Sequence, residues 1–143
     1  MAAFQRTFRL PTRGRCHVLD ISADVERIVR ESGIVTGTVN VAGKGSTVAV
    51  TTIEFEPGAV SDLERALEQI APSNDNYAHN EKWGDHNGFS HLRSALMGTS
   101  QTFPVTKGHV NRGTWQQIVL CDFDERPRDR EITVTVLGES AVT

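Results

Sequence analysis

The chain is short of several things, and each shortage removes a class of protein. Its two cysteines, Cys16 and Cys121, stand far apart with neither metal-ligand nor redox spacing. They read as reduced, small core residues of a cytoplasmic protein rather than as a disulfide framework. No stretch approaches the roughly 20 apolar residues that span a bilayer. The opening run MAAFQRTFRLPTRGR lacks the continuous apolar segment of a secretory signal, so no membrane partner is expected. Basic excess is missing too. The net charge is -3, and Arg126, Arg128 and Arg130 alternate with Asp124, Glu125 and Asp129, so nucleic acid is not expected as a partner. There is no Gly-x-Ser-x-Gly elbow, no HExxH, no CxxC and no dinucleotide fingerprint. Gly43-Lys44-Gly45 has the flavour of a phosphate loop, but Thr38 stands where the first glycine belongs, and the segment lies between two strands. It reads as a turn.

What is present fits one ordinary domain over residues 1–143. Hydrophobic residues make up 38% and charged residues 23%, enough for a packed core and too balanced for disorder. FQRTFRL and RCHVLDIS read as strands joined as a hairpin by PTRG. Ser22 suits a helix N-cap, Val25, Ile28 and Val29 form one apolar stripe, and Gly33 closes the helix. In GIVTGTVNVAG, Val35, Val39 and Val41 point one way, Thr36, Thr38 and Asn40 the other; STVAVTTIEFE is β-branched. Pro57 opens a second helix with Val60, Leu63, Leu67 and Ile70 at helical spacing, and Pro72 ends it. Ser90 to Met97 reads as a third helix, capped by Ser90 and stopped by Gly98. QTFPV, GTWQQIVLCDF and REITVTVLG are strands, the last two joined as a hairpin through DERPRD. Strands dominate and helices do not alternate with them, so the fold class is α+β, mainly antiparallel, with two to three helices.

Chemistry concentrates in NYAHNEKWGDHNGFSHLRS, Asn76 to Ser94, which holds three of the five histidines. Neutral imidazole is a common zinc ligand, and an acid such as Asp85 completes such sites. The spacing His79-x6-His86-x4-His91 is not the i, i+4 pair of a helical metal motif, so the stretch is either a converging site or a solvated loop. Glu54 ends an otherwise apolar strand, as a ligand, a general base or the first exposed residue after it. Trp115 either packs in the core or offers its ring to a ligand, and Gln116 can orient a polar group.

Taken together, YAHN, the run ending HLRSALMGTSQTFPV, then GHVNRGTWQQIVLCDFD and RPRDREITVTVLGE resemble the YjbQ family, also described as secondary thiamine-phosphate synthases. The resemblance runs from about Phe4 to Glu139. It implies a compact α+β fold with a β-sandwich-like core, a homotrimer, and weak joining of the two halves of thiamine phosphate. It also implies a divalent metal, zinc or magnesium, or an anion at a cluster of histidines. Carried onto this chain, the catalytic set is Glu54, His79, Asp85 and His91, with His79 and His91 as metal ligands. Asn80, Asn87, Arg93, Ser94, Trp115 and Gln116 are the ligand-binding set. The chain departs from the family's pattern where His-Thr-Thr-Ala becomes Gly45, Ser46, Thr47 and Val48. It departs again where an Asn-Glu pair becomes Ile53-Glu54, and where the first histidine of His-Ala-His becomes Phe89. An additional histidine stands at 86. Losing ligands leaves a tetrahedral site open or empty. The favoured expectation is therefore a family member with a depleted site that binds a small-molecule phosphate or other anion, or a partner, without full family activity. The alternatives are an enzyme of the family type, with Arg93 or Lys107 holding phosphate, and a metal-assisted hydrolase using His79, His86 and His91.

Overall fold

The computed structural model describes residues 1–141. Eight strands form two sheets, and every strand pair is antiparallel. The larger sheet takes β1 (Ala2–Thr12), β8 (Arg128–Ser140), β3 (Ile34–Gly43), β5 (Ser100–Thr106) and β6 (His109–Val110), in that order. The smaller takes β2 (His17–Asp20), β7 (Gln117–Asp122) and β4 (Val48–Ile53). Alternation sets the faces. Val39 and Val41 of β3, Phe103 and Val105 of β5, and Ile132, Val134 and Val136 of β8 point inward, meeting Val48 and Val50 of β4 and Ile118 and Leu120 of β7. The intervening residues Ala49, Val119 and Cys121 face the opposite side, onto α2 (Pro57–Ile70) and the end of α4 (Gly88–Met97). The architecture is sheet on sheet with a helical layer on the smaller sheet. The expected α+β class with a sandwich-like core is what the chain forms. Helices among the described residues number four rather than two or three, because a short α3 (Ala78–Trp83) lies inside the polar stretch.

Both expected hairpins are absent. β1 pairs with β8 and β2 with β7, and β7 and β8 lie in different sheets. PTRG and DERPRD are corners that carry the chain from one sheet to the other. The first corner turns through Gly14, Arg15 and Cys16 at φ 83, 55 and 53, three consecutive left-handed residues that a two-residue hairpin turn does not need. The second is stapled by charge. Arg130 on β8 donates to both oxygens of Asp122 on β7 at 2.7 and 2.9 Å and to Thr47 at 2.6 Å. Arg128 donates to Asp124 at 2.9 Å, and Thr12 on β1 donates to Asp122 at 2.6 Å. Of the three arginines that the sequence shows diluted by acids, Arg128 and Arg130 are turned toward Asp124 and Asp122, while Arg126 stays exposed.

This corner gives the fold an acid limit. Burial pushes the Asp124 carboxyl upward, but the Glu125 N–H, the charge and hydrogen bonds of Arg128, and the Asn87 amide outweigh it and hold the pKa below its ordinary value of 3.8. A carboxyl depressed in the folded state adds stability above its unfolded pKa, and that stability is lost as pH falls through the folded one. Arg128→Met removes the main lowering charge. Its acid unfolding, followed by circular dichroism, is expected to begin at a higher pH than in the parent, and superimposable acid limbs would refute this role for Arg128.

α2 packs Val60, Leu63 and Leu67 but leaves Ile70, the last residue of its expected stripe, 63% exposed, and several helix ends are corrected. α1 (Ser22–Ser32) follows its predicted stripe, burying Val25, Ile28 and Val29, and closes at Gly33, φ 69. Ile21, not Ser22, is its N-cap; the Ser22 hydroxyl accepts the Ile118 N–H instead, tying the helix to β7. α2 starts at Pro57 with the Glu56 carboxylate accepting the Gly58 and Ala59 N–H groups at 2.7 and 2.8 Å. α4 begins at Gly88 with Asn87 at its N-cap, two residues before the expected start, and Ser90 donates its hydroxyl to the Asn87 carbonyl. No helix among the described residues is long and apolar enough to cross a membrane.

Candidate functional site

The polar stretch after α2 is neither a free loop nor a single helix. Tyr77 anchors its start by donating to the Pro72 carbonyl at 2.5 Å. α3 then makes fewer than two turns and stops at Gly84, φ 68. Asn80 on α3 accepts the N–H of Gly88 at 2.9 Å, which clamps the start of α4 to α3. That clamp brings the two histidines together. The rings of His79 on α3 and His91 on α4 are 4.6 Å apart, tilted by 41°. Asp85 Oδ1 lies 3.1 Å from His79 Nδ1, within ion-pair range but off the hydrogen-bond axis. Asp85 Oδ1 and Asn87 Oδ1 are both buried without a hydrogen-bond donor among the described residues. Such orphaned acceptors call for a donor from outside the chain, a ligand or an ordered water. His91 and the buried Ser94 share an open hollow of about 350 Å³ with Ser46, Ala95, Gly98 and Thr99.

His79, Asn80, Asp85, Asn87, His91 and Ser94 thus gather around the junction of α3 and α4. The other expected residues do not. Arg93 is 2% exposed and sits on another face of α4, donating to Glu68 at 2.6 Å and to the Ala71 carbonyl at 3.0 Å, with its guanidinium over Phe89. It is an anchor between α2 and α4, with its Nε and Nη2 engaged. Phe89 lines the Arg93 cavity with Arg15 and Cys16, not the His91 hollow. Residues 89 and 91 are about 200° apart on a helix, so a histidine at 89 would not have joined His91 from within this chain. A side chain at Gly45, φ 145, would start 2.9 Å from Arg130 Nη1, so the corner staple occupies the space of the other missing histidine. His86 is exposed and does not line the His91 hollow; it lines one with Asp75, Tyr77 and Glu81 that also reaches Asn80 and Asp85 of the site. Lys107 lies in the turn between β5 and β6.

Glu54, Trp115 and Gln116 lie at the far end of β4 from His91. Ser46, before the strand, shares the His91 hollow; Glu54, after it, lines a hollow of about 250 Å³ with Asp20, Phe55, Glu56, Trp115 and Gln117. α2 begins there, and its 14 residues carry the chain back roughly 20 Å toward α3. Trp115 is not a core residue. Its side chain is 70% exposed, and Phe55 is 45% exposed. Two glutamines brace this surface. Gln116 accepts the Gly113 N–H and donates to Thr52; Gln117 accepts the Phe55 N–H and donates to the Thr114 carbonyl. Phe55 and Gln117 escaped the sequence reading, although the doubled glutamine beside Trp115 was the available sign.

Among the described residues, no three His, Cys, Asp or Glu side chains converge in a group that could hold a metal ion. A catalytic zinc takes three protein ligands and an open position, so the donors of one chain do not fit it. The thiols are ill suited to chemistry. Burial, aided by Glu64, raises Cys16 to about 11, and burial raises Cys121 to about 12.

The sequence matches the family model described as "UPF0047 protein YjbQ-like" over residues 6–139. A UPF0047 protein of Methanothermobacter thermautotrophicus is 39% identical over 139 residues, covering 97% of this chain and 95% of that protein. The crystal structure of a YbjQ-like protein of unknown function from Sulfolobus solfataricus P2 superposes with a TM-score of 0.92 at 32% identity, covering 96% of this chain and 99% of the other. A hypothetical protein of Aeropyrum pernix K1 superposes with a TM-score of 0.87 at 30% identity, covering 94% and 98%. With solved relatives superposing over nearly the whole chain and the site segment inside the matched region, the chain belongs to the YjbQ-like UPF0047 family.

Proposed function

We propose that the protein binds a small, partly protonated oxyanion such as a phosphate at the His79–His91 pair, as a homo-oligomer, a trimer by family resemblance, in the cytoplasm. The observation that carries this is the 4.6 Å approach of two imidazoles beside a buried carboxylate oxygen that has no donor. Imidazole N–H groups offer donors to anionic oxygens, and a hydrogen phosphate also offers an O–H to Asp85. Ser94 on the His91 side adds a hydroxyl. The reading is binding rather than thiamine-half joining, because displacing pyrophosphate needs free basic donors, and Arg93 is committed to Glu68 and Ala71.

Titration calorimetry with pyrophosphate tests this. Saturable binding is expected. A hydrogen bond to a charged group is worth about 1.5–3 kcal/mol, so His91→Ala or His79→Ala is expected to weaken binding by roughly tenfold or more. His86→Ala should leave it within about twofold, since His86 is exposed and does not line the His91 hollow. Unchanged affinity in both His79→Ala and His91→Ala would sink the assignment.

A further inference from the structure

We propose that the protein has a second binding site, for a small zwitterion of the free α-amino acid class, in the cavity between α2, α4 and the two corners. None of the residues gathered around His79 and His91 takes part.

The cavity holds about 350 Å³, and three parts of the fold wall it. Glu64 and Glu68 stand one turn apart on α2, and Phe89 and Arg93 one turn apart on α4, so each pair presents one helix face. Arg15, Cys16 and Glu125 come from the two corners, which the Arg15 N–H ties together by donating to the Asp124 carbonyl at 2.6 Å. Arg15 and Cys16 hold the left-handed backbone that is uncommon outside glycine, and both line the cavity. The buried side is Phe89 and Arg93. The Arg93 guanidinium is held over the rings of Phe89 and Phe123, at 4.9 and 5.7 Å, with Nε and Nη2 engaged by Ala71 and Glu68. Its Nη1 has no hydrogen-bond partner among the described residues and is not one of the sealed orphans, so it opens on the cavity. A guanidinium nitrogen without an acceptor in such a place calls for one from outside the chain. The rim carries charges the fold does not pair. Glu68 is bound to Arg93, but Arg15, Glu64 and Glu125 have neither an ion pair nor a side-chain hydrogen bond among the described residues. Arg15 with Arg93 Nη1 matches a carboxylate, and Glu64 with Glu125 matches an ammonium. A ligand of one charge leaves the opposite set unmatched, and a multiply charged anion meets three glutamates. A carboxylate and an ammonium on one carbon satisfy both sets, and the volume is at the small end for ligand pockets. Cys16 is wall rather than nucleophile, because burial pushes its thiol up to about 11 and keeps it as S–H.

Titration calorimetry with each of the common L-amino acids, and with acetate and methylamine as the separate charges, tests the site. At least one amino acid is expected to bind saturably and more tightly than either single charge. Arg15 and Glu64 are exposed, and asparagine takes the left-handed backbone readily, so Arg15→Asn and Glu64→Gln remove charge without disturbing the fold. Each is expected to weaken binding of that amino acid by roughly tenfold or more. Both should leave pyrophosphate binding within about twofold, as distant independent sites do. Saturating amino acid is also expected to slow alkylation of Cys16 by N-ethylmaleimide, followed by intact mass, since Cys121 is fully buried. The proposal is overturned if no amino acid binds saturably, if acetate or methylamine binds as tightly, or if the ligand leaves Cys16 alkylation unchanged. An equal loss of pyrophosphate affinity in Arg15→Asn would overturn it too, by showing one anion site where two are assigned.

Discussion

Arg130→Met is expected to lower stability by about 3–5 kcal/mol, the usual cost of leaving a buried charge without its partner. Asp122 is completely buried, and Arg130 is the group that makes this tolerable, with two short hydrogen bonds to its carboxylate. The Thr12 hydroxyl and the Asp124 N–H remain after the substitution, but neither carries charge. The same arginine satisfies Thr47 and links the two sheets at the corner, so methionine removes a tie between layers as well as a charge. For a chain of this length the loss corresponds to roughly 12–20 °C in melting temperature. Arg9→Met is the matched control. Its partners Asp129 and Glu131 are reached on the exposed face of the larger sheet, where ion pairs contribute little. Adding Asp122→Leu to Arg130→Met should recover part of the loss, because an apolar pair can replace a buried ion pair at small cost. Equal melting temperatures for Arg130→Met and Arg9→Met would show that the corner is not held by charge.

That corner also shows where reading the sequence stops. Strand positions followed from alternation and β-branching, signals local to each segment. Pairing did not, because DERPRD between two strands looks the same whether the chain folds back beside itself or crosses to the opposite sheet. The choice is made by Asp122, Asp124, Arg128 and Arg130, whose partners come from β1 and from the loop before β4. In the site segment, the histidines and Asp85 were legible as residue types, and their family resemblance marked them. α3 was not legible, since six residues with no buried position carry no apolar period. Its existence depends on Asn80 reaching Gly88, a contact between residues outside any periodic pattern. Arg93 was misread as a phosphate donor for a related reason. A basic residue between His91 and Ser94 looks like part of their site until the helix places it on another face against Glu68. Glu54 and Trp115, singled out in the same way, lie in a different hollow from His91, at the other end of β4.

Gly37→Ala is expected to destabilise the fold at the upper end of the roughly 1–3 kcal/mol that overpacking costs, although the position looks like an ordinary strand residue. Gly37 on β3 pairs directly with Gly138 on β8, just past the irregularity between Ile34 and Thr36. A methyl group at 37 would run into the Leu137 carbonyl oxygen and come within 2.8 Å of the Gly138 Cα. These are backbone atoms of the neighbouring strand, so no side chain can swing aside to relieve the clash. The strands must separate, breaking ladder hydrogen bonds between β3 and β8 in the middle of the larger sheet. The contact is reciprocal: a Cβ added at Gly138, φ 155, would start 2.7 Å from the Gly37 Cα, so both glycines are required by the same close approach. The extra residue at the bulge bends β3 here and brings the two backbones together. Gly113→Ala is the control, since its nearest neighbour, the Gln116 Cβ, is at an ordinary 3.6 Å; it should change stability by no more than about 0.5 kcal/mol. Denaturant unfolding of the three proteins decides the matter. Gly37→Ala is expected to lower the midpoint markedly and Gly113→Ala hardly at all, and equal midpoints would mean that β3 and β8 are not packed backbone to backbone at this pair.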